Sequence, residues 1–294
     1  MRILLIGNSG QLGWELERTL APLGKVASID YPELDLNEPE AVRSVISSAR
    51  PDILINATAF TAVDRAETEI ETAMAINVRA PEIMAEEAKK IHALFIHYST
   101  DYVFDGTKTE LYVEQDTPNP INVYGRSKLT GEKAIEAIGS YYFIFRTSWV
   151  YSLRRDSFVT KVLQWSRTNQ TLKIVSDQVS NPTWSRMLAE VNACLLIKGG
   201  DQPMAWLRDR VGLYHLAGKG VASRFEWAQA ILKKDPRPSE QVTREILPAR
   251  TDDFPTPAKR PLHTALDCRR FTETFGLQLP DWQNALQLAM ENVR

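Results

Sequence analysis

The chain opens with a short apolar strand that runs directly into three closely spaced glycines and then into a helix. The strand is Arg2–Ile6, the glycines are Gly7, Gly10 and Gly13, and helical periodicity follows from about Trp14 to Leu23. Glycines at these positions let the backbone approach a pyrophosphate, and the helix N-terminus adds amide donors and a favourable dipole. The pattern therefore predicts a dinucleotide-binding βα unit.

An acidic residue follows the second predicted strand. Lys25–Ile29 leads into Asp30, which lies 20 residues beyond Gly10. A carboxylate at this place can bind ribose hydroxyls of a dinucleotide. Such an acid repels a 2′-phosphate, but Tyr31 and its neighbours could still admit one, so NADPH and NADH both stay open as the cofactor.

Strand and helix patterns alternate through the rest of the first half. Apolar runs typical of buried strands cover Ile53–Asn56, Ala93–His97 and Tyr142–Phe145, and helical patterns cover Ile70–Lys90 and Tyr124–Ala137. This alternation indicates a parallel sheet with helices on its faces. Ligands of such sheets bind at the carboxyl ends of the strands, so we expect the site in the loops that follow them.

The second half is less regular. Gly212–Ala217 has the pattern of a core strand that returns to the sheet. We therefore predict an α/β fold, a Rossmann-type doubly wound parallel sheet in residues 1–150, with a smaller, interleaved C-terminal substrate-binding lobe in residues 151–294. Three amphipathic helices are assigned to that lobe: Phe158–Arg167, Ser185–Leu196 and Arg224–Lys233.

A proline-rich stretch, Phe254–Pro261, lies near the C-terminus. It has two equally weighted interpretations, a rigid surface linker or a segment beside the substrate. Lys259 and Arg260 could meet a diphosphate through charge-assisted hydrogen bonds, or could form a solvated surface pair.

Composition excludes several classes of function. The chain has 294 residues, 44% hydrophobic and 24% charged, with a net charge of −2. Because no basic run or apolar span of membrane length occurs, we expect neither nucleic acid nor a membrane as a partner. Cys194 and Cys268 lack metal-ligand spacing, and Met1 leads directly into the first strand, which predicts a cytoplasmic protein.

Tyr124 and Lys128 are one helical turn apart and share a face of the predicted helix. A phenol with a pKa of about 10 is a poor acid near neutrality unless a nearby cation stabilises its phenolate. Lys128 can be that cation. The alternative is an ordinary exposed pair, because Tyr-x-x-x-Lys often occurs by chance.

Taken together, these motifs resemble the extended short-chain dehydrogenase/reductase superfamily and, within it, the dTDP-4-dehydrorhamnose reductase family. The resemblance covers nearly the whole chain. The shared motifs are Gly7-x-x-Gly10-Gln-x-Gly13, Ser99-Thr-Asp-Tyr-Val-Phe-Asp-Gly106, Asn122-x-Tyr124-Gly-x-x-Lys128-x-x-Gly-Glu132, Arg146-Thr-Ser-Trp149-Val-Tyr and Asp177-Gln-x-x-x-Pro-Thr183.

The resemblance implies that a nicotinamide reduces a 4-keto-6-deoxy nucleotide sugar, and it assigns residues to three groups. The catalytic group is Thr100, Tyr124 and Lys128. The cofactor group is Gly7, Ser9, Gly10, Gln11, Leu12, Gly13, Asp30, Asp35, Leu36, Ala57, Thr58, Ala59, Tyr124 and Lys128. The substrate group is Thr61, Thr100, Asp101, Tyr102, Trp149 and Arg260. For Trp149, a buried core tryptophan is the alternative.

In the implied mechanism Tyr124 donates a proton to the developing alkoxide while Thr100 holds the carbonyl oxygen. Lys128 lowers the phenol pKa and, by resemblance, also bonds the nicotinamide ribose. Related 4,6-dehydratases carry an Asp-Glu pair after the catalytic threonine. Here Asp101 is followed by Tyr102, which favours simple reduction over elimination.

Some members of the family join subunits through Mg²⁺. Glu15 matches one ligand position, but Arg186 stands near another and would oppose a cation, so no metal is predicted. Glu15 can simply complement the helix dipole. The sequence leaves a monomer and a homodimer open.

Two rival functions remain. One is a reductase or epimerase of another nucleotide sugar, since the sequence specifies the reacting end better than the nucleotide. The other is a non-catalytic regulatory subunit of the kind paired with methionine adenosyltransferase. An intact set of Thr100, Tyr124 and Lys128 argues against the second.

Overall fold

The computed structural model describes residues 1–291, which form a central parallel sheet covered by helices and a second, smaller lobe. The strands are β1 (Arg2–Ile6), β2 (Lys25–Ile29), β3 (Ile53–Asn56), β4 (Leu94–Thr100), β5 (Tyr141–Thr147), β6 (Val150–Tyr151), β7 (Thr171–Val175), β8 (Val179–Ser180), β9 (Thr183–Trp184), β10 (Gly212–His215), β11 (Ala222–Ser223) and β12 (Glu245–Ala249).

The helices fall between these strands and after them. They are α1 (Gln11–Leu20), α2 (Pro39–Ala49), α3 (Val63–Ala66), α4 (Ile70–Met74), α5 (Ala80–Lys90), α6 (Val123–Ile138), α7 (Phe158–Ser166), α8 (Ser185–Ile197), α9 (Pro203–Arg208), α10 (Arg224–Lys233), α11 (Arg269–Phe275) and α12 (Trp282–Glu291). A π-helical segment, Ala75–Arg79, joins α4 to α5, and short 3₁₀ turns cover Ala21–Leu23, Asp101–Val103, Pro238–Glu240 and Thr251–Asp253.

The large sheet has the strand order β2-β1-β3-β4-β5-β10, and every neighbouring pair is parallel. The chain moves outward in one direction from β1 to β2 and in the other from β3 onward. Crevices at such a reversal are where open α/β sheets bind ligands. The α/β class with a doubly wound parallel sheet is confirmed.

Two apolar layers sandwich this sheet because strand side chains alternate between its faces. Ile3 and Leu5 of β1 pack in one layer with α1, α8 and α11. Leu4 and Ile6 pack in the other layer with α2, α5 and α6. The central strands β1, β3 and β4 are buried on both faces, which explains why their sequences read as continuous apolar runs rather than alternating ones.

A third apolar cluster forms the core of the smaller lobe. It joins Tyr151, α7, α10 and α12 around the fully buried Trp227. Short strand pairs flank it: β6 with β9, β7 with β12, and β8 with β11. The division near residue 150 stays a prediction, although β10 from the later half of the chain lies in the large sheet.

Three local expectations differ from the structure. The first helix begins at Gln11, not near Trp14, because its N-cap is Gly10 in the glycine loop itself. Helix α8 packs against α1 on the large sheet rather than in the smaller lobe, because Leu188, Leu195 and Leu196 join the sheet's apolar layer. The expected helix Ile70–Lys90 contains the π-helical segment. Among residues 1–291, no helix combines the length and apolar character needed to cross a membrane.

Candidate active site

A cavity of about 600 Å³ opens at the carboxyl ends of β1, β3, β4 and β5. Fifteen of the residues proposed from the sequence line it. These are Gly7, Ser9, Gly10, Gln11, Leu12, Asp30, Ala57, Thr58, Ala59, Thr61, Thr100, Asp101, Tyr124, Lys128 and Trp149. Residues separated by more than a hundred positions thus converge on one cleft.

A second cavity, of about 920 Å³, lies beside the end of β10 and is lined by residues such as Lys108, Gly218, Cys268 and Gln278. Its lining contains none of the residues proposed from the sequence. Size alone would select this cavity, but the acid, the lysine and the glycine loop all belong to the smaller one. The smaller cavity is therefore the candidate active site.

The glycine loop has the shape required of a pyrophosphate cradle. Gly7 has a φ of +97°, which favours glycine. A Cβ on Gly13 would lie 1.9 Å from the carbonyl oxygen of Gly7, so Gly13 serves close packing behind the loop rather than the cavity wall. In the part of the chain from 1 to 291, no side chain caps the N-terminus of α1. Its free amides fit an anionic group.

Asp30 and two arginines converge on Ser9 in this loop. The Asp30 carboxylate accepts hydrogen bonds from the backbone amide of Ser9 at 2.9 Å and from its hydroxyl at 2.5 Å. Arg154 and Arg155 reach across from the loop after β6 and donate to the Ser9 carbonyl oxygen at 3.1 and 2.6 Å. Positive and negative groups therefore stand side by side where a dinucleotide would enter.

Helix α6 carries the acid and the lysine, and its N-terminus is firmly held. Asn122 is the N-cap residue, and its side chain accepts a hydrogen bond from the Gly125 amide at 2.8 Å. The same side chain donates to the Lys259 carbonyl oxygen at 2.9 Å. A Cβ on Gly125 would lie 2.2 Å from the Tyr102 carbonyl oxygen, so the helix sits directly against the turn after β4.

The pKa of the Tyr124 phenol differs from the expectation. Burial raises the pKa of Tyr124, and a hydrogen bond with Thr100 acts in the opposite direction. The expected net lowering of this pKa is wrong for this structure because burial dominates. Lys128 Nζ bonds to the Tyr98 carbonyl oxygen at 2.7 Å and to His97 Nε2 at 3.0 Å, and not to the phenol. A phenol that keeps its proton is still suited to act as an acid.

Lys128 itself is 1% exposed. Burial lowers the pKa of Lys128 to about 8, and the Glu132 carboxylate one turn away acts in the opposite direction. Glu132 is held by Arg146 of β5, with Nη2 to Oε2 at 2.6 Å and Nε to Oε1 at 3.0 Å, and by the hydroxyl of Ser99. The lysine therefore stands in a dry environment with a fixed carboxylate nearby.

Asp101 orders the loop behind the cavity. Its carboxylate accepts hydrogen bonds from Ser180 at 3.0 Å, from Thr264 and from Thr100 at 3.2 Å. The pKa of Asp101 is raised to about 6 because burial opposes the charge, although these hydroxyl donors act the other way. The carboxylate thus links the Thr100 hydroxyl to Ser180 and to Thr264, which lie far apart in the sequence.

Trp149 lines the cavity and also packs into the smaller lobe, so it has a structural role, and its contact with substrate stays a prediction. Its ring stacks on Trp227 at 5.5 Å with an interplanar angle of 12°, and the Arg224 guanidinium lies 3.7 Å from its centroid. Trp149 also has a φ of +42°, a conformation that costs energy in a residue with a side chain.

Arg224 is the substrate candidate that sequence reasoning missed. Within residues 1–291 its guanidinium has neither a salt bridge nor a side-chain hydrogen bond, and it stacks on aromatic rings near Asp101, Tyr102 and Arg260. Burial lowers the pKa of Arg224 to about 10, while Tyr102 and Asp101 act in the opposite direction. Only its position directly after Ser223, a capping-box residue, marks it in the sequence.

The remaining sequence candidates lie outside the cavity lining. Arg260 is paired with Asp64 at 2.7 Å and donates to the Ala258 carbonyl oxygen. Tyr102 packs edge-on against Tyr124 with ring centroids 5.7 Å apart. Asp35 accepts from the backbone and side chain of Asn37, which lowers its pKa, and Leu36 packs against the apolar layer of α2 and α5.

Glu15, the position considered for a metal, lies near Arg186. Burial raises the pKa of Glu15, while the Arg186 guanidinium acts against that shift from nearby. Arg186 is paired with Glu190 at 2.8 Å. Among residues 1–291, no group of three or more histidine, cysteine, aspartate or glutamate side chains could hold a metal ion.

A glycine-loop βα unit at the switch point of a parallel sheet, with a tyrosine and lysine from α6 facing the same cavity, defines an NAD(P)-dependent oxidoreductase of the short-chain dehydrogenase/reductase class. The model of the RmlD substrate binding domain family matches residues 1–294. The chain belongs to this family, and the resemblance to dTDP-4-dehydrorhamnose reductases is confirmed.

Several relatives support this assignment. The dTDP-4-dehydrorhamnose reductase of Burkholderia thailandensis is 38% identical over 100% of this chain and 99% of its own, and that of Escherichia coli K12 is 39% identical over 96% and 95%. Among solved structures, the reductase of Clostridium acetobutylicum has a TM-score of 0.90 at 32% identity and covers 100% of this chain and 99% of its own.

Two further structures extend the comparison. The Bacillus anthracis reductase, solved in complex with NADP, has a TM-score of 0.89 at 30% identity and covers 99% of both chains. A UDP-glucose 4-epimerase from Thermotoga maritima has a TM-score of 0.79 at 17% identity, covering 99% of this chain and 98% of its own, and shares the fold alone.

Proposed function

We propose that this chain reduces dTDP-4-dehydro-β-L-rhamnose to dTDP-β-L-rhamnose with NADPH or NADH, the last step of dTDP-L-rhamnose synthesis. The observation that carries the proposal is the convergence of Thr100, Tyr124 and Lys128 on the cavity that also contains the glycine loop. The full-length likeness to dTDP-4-dehydrorhamnose reductases supports the same substrate.

The reduced nicotinamide, when bound, supplies a hydride for the sugar C4 carbonyl. Gly7, Gly10 and the free amides of α1 would hold its pyrophosphate. Thr100 would hold the carbonyl oxygen, and Tyr124 would donate a proton to that oxygen as negative charge develops on it. Lys128 would hold the nicotinamide ribose and offset the charge left on the phenol.

The diphosphate of the substrate needs a cation. Arg260 is already bonded to Asp64, whereas Arg224 has a free guanidinium beside the cavity, so we assign the diphosphate to Arg224 first. Trp149, which contacts both Arg224 and Trp227, would hold the sugar or the base against its exposed surface. The roles of Thr61, Asp101 and Tyr102 toward the substrate remain part of the same proposal.

We further infer a cytoplasmic location, supported by the two free thiols, Cys194 and Cys268. The oligomeric state, monomer or homodimer, is a matter for sedimentation velocity.

The test mixes the purified protein with chemoenzymatically prepared dTDP-4-dehydro-L-rhamnose and follows the absorbance of the reduced nicotinamide, with NADPH and NADH in separate reactions. We expect oxidation coupled to formation of dTDP-L-rhamnose. If folded protein binds NADPH but none of the nucleotide sugars tested causes NADPH oxidation, the proposal is contradicted and the regulatory-subunit interpretation is favoured. Turnover with a different nucleotide sugar alone would replace the substrate but keep the chemistry.

A further inference from the structure

A buried series of hydrogen-bonded polar side chains lies directly behind Tyr124 and Lys128. Asn56 Nδ2 lies 3.1 Å from His97 Nδ1, and His97 Nε2 lies 3.0 Å from Lys128 Nζ. Asn56 and His97 are 0% exposed and Lys128 is 1% exposed. The sheet register explains the first contact, because Asn56 and His97 are paired positions on the adjacent strands β3 and β4. The proposed mechanism gives His97 no role.

The orientation of the Asn56 amide is fixed by its other partner. The backbone amide of Thr58 donates to Asn56 Oδ1 at 3.0 Å, and the Thr58 hydroxyl donates to the same oxygen at 2.6 Å. A backbone N–H can only donate, so the oxygen of the Asn56 amide must face Thr58. The NH₂ group therefore faces His97 and donates to Nδ1.

This orientation determines where the histidine carries its proton. Burial and the nearby Lys128 hold the pKa of His97 well below its usual range, so the ring is neutral and has one N–H. Because Nδ1 accepts from Asn56, that N–H is on Nε2. It points at Lys128 Nζ, 3.0 Å away.

The two protonation states of Lys128 are not equally accommodated by this arrangement. A neutral amine can accept from His97 with its lone pair while it donates to the Tyr98 carbonyl oxygen at 2.7 Å. An ammonium has no lone pair, so its hydrogens would face the His97 N–H. We propose that His97, oriented by Asn56, is a positioning residue that disfavours the ammonium form of Lys128 and so sets the pH above which the site stops supporting reduction.

A proton relay to solvent through His97 is the obvious alternative, and the geometry disfavours it. Among the described residues, the hydrogen-bonded series continues beyond His97 only to the Asn56 amide, which neither accepts nor releases a proton near neutral pH. The next partner, Thr58, meets the oxygen of that amide and not its nitrogen. The hydrogen-bonded series therefore ends at Asn56, and its effect is to adjust the proton affinity of Lys128.

Other polar groups lie around the hydrogen-bonded series of Asn56, His97 and Lys128. On α6, Glu132 favours the ammonium and Tyr124 is uncharged, and from β5 Arg146 neutralises Glu132. The remaining groups belong to neighbouring elements: Tyr98, whose pKa is raised by burial, on β4; Asp101 in the turn after β4, bonded to hydroxyl groups; and the neutral Asn77 of the π-helical segment, bonded to Ser127. The direction expected from His97 is thus opposite to that of Glu132.

The first test needs no substrate. Nitrogen NMR of the side chains of the full-length protein reports the histidine tautomer, and the His97 signals among the four histidines are those lost in His97→Gln. We expect the proton on Nε2 and a shift of these signals near pH 8, where Lys128 loses its proton, that disappears in Lys128→Met. A proton on Nδ1, or no shift between wild-type and Lys128→Met, would overturn the proposal whether or not the protein is a reductase.

The second test rests on the proposed function and measures kcat against pH. In His97→Gln the oxygen of the new amide can accept a hydrogen bond from the Lys128 ammonium. The alkaline limb, the fall of kcat at high pH, should therefore move up by about one pH unit. Asn56→Asp should move the limb in the same direction, because a carboxylate accepts from Nδ1–H and frees the Nε2 lone pair for Lys128. A uniform loss of kcat in both variants with the limb in its wild-type place would indicate a merely structural role.

Discussion

At the scale of single residues, the proposed proton donor and the group that titrates near neutral pH are different side chains. Burial raises the pKa of Tyr124, so its phenol keeps its proton throughout the neutral range. Lys128, with its pKa lowered to about 8, is the first of the two to lose its proton as pH rises. Under the proposed function, an alkaline limit on reduction would therefore come from the lysine, and the tyrosine would be the proton donor.

The tyrosine can be tested by removing one oxygen. We expect Tyr124→Phe to lower kcat by about 10² to 10⁴, the usual contribution of a positioned general acid. The ring still fills its place against Tyr102, so NADPH affinity and thermal stability should stay near wild type. Turnover within a few-fold of wild type, at every pH measured, would rule out Tyr124 as the acid.

Arg224 makes a different prediction because its proposed role is binding rather than chemistry. Arg224→Met keeps the apolar stem over Trp149 and removes the charge, so KM for the nucleotide sugar should rise by roughly 10- to 100-fold. KM for NADPH should not change. The matched control is Arg260→Met, whose guanidinium is already bonded to Asp64 and whose loss should affect KM less. Equal effects of the two variants would contradict the assignment.

Asp101 links the site to stability. The pKa of its carboxyl is raised to about 6 from an ordinary 3.8, so its contribution is fully present below pH 4 and is lost as pH rises through 6. About two pKa units correspond to roughly 3 kcal/mol. We therefore expect the unfolding free energy of Asp101→Asn, relative to wild type, to increase by up to that amount between pH 4 and pH 7. Urea titrations at each pH measure it, and a difference independent of pH would contradict the shift.

Sequence reasoning brings together residues that share a motif and misses those whose role depends on a distant contact. Thr100, Tyr124 and Lys128 fall in short patterns and do face one cavity. His97 reads only as one polar residue in an apolar strand, and its meaning comes from its register with Asn56. Arg224 becomes a candidate only because Arg260 is paired elsewhere, which no spacing in the chain reveals.

At the scale of elements, helix α6 is held to the sheet by a buried ion pair. Glu132 and Arg146 are 1% and 4% exposed, and Ser99 of β4 completes the contact. The pair joins α6, β4 and β5 one turn beyond Lys128. Such pairs contribute little net stability compared with apolar contacts, but removing one partner leaves a buried charge.

We therefore expect Glu132→Gln to destabilise the protein by roughly 3–5 kcal/mol, since it leaves the Arg146 guanidinium buried without a counter-charge. The double variant Glu132→Gln with Arg146→Met should recover much of that loss. Chemical denaturation of wild type and the two variants measures both effects. A single variant as stable as wild type would show that water reaches Arg146 and that the pair does not anchor α6.

Element-scale predictions succeed where one strand or helix is decided by its own residues. The continuous apolar runs of β3, β4 and β5 are typical of strands buried on both faces, and the sheet they predict is present. Helix α8 could not be placed in the same way. Its apolar face fits either lobe, and only packing against α1 decides between them. The π-helical segment before α5 likewise has no local sequence signal.

At the scale of the whole molecule, the cleft lies where two halves of the chain meet. The glycine loop belongs to the first βα unit, while Arg154 and Arg155 come from the loop that enters the smaller lobe. Arg154 also lies over the Trp14 ring at 4.5 Å. Ser9 thus contacts both Asp30 and these two cationic side chains, so the cofactor preference depends on residues from both halves of the chain.

Arg155 is the member of this contact that lines the cavity, so it offers the sharpest test of how the halves cooperate. We expect Arg155→Ala to weaken NADPH binding by about tenfold or more, because it removes a cation that can make charge-assisted hydrogen bonds to phosphate and releases the loop from Ser9. Fluorescence titration of NADPH and NADH measures the affinity. If the guanidinium meets the 2′-phosphate, the loss is confined to NADPH; if it meets the pyrophosphate, both cofactors lose equally. Because Arg155 is exposed, the melting temperature should hardly change, and unchanged affinity for both cofactors would place Arg155 outside the binding site.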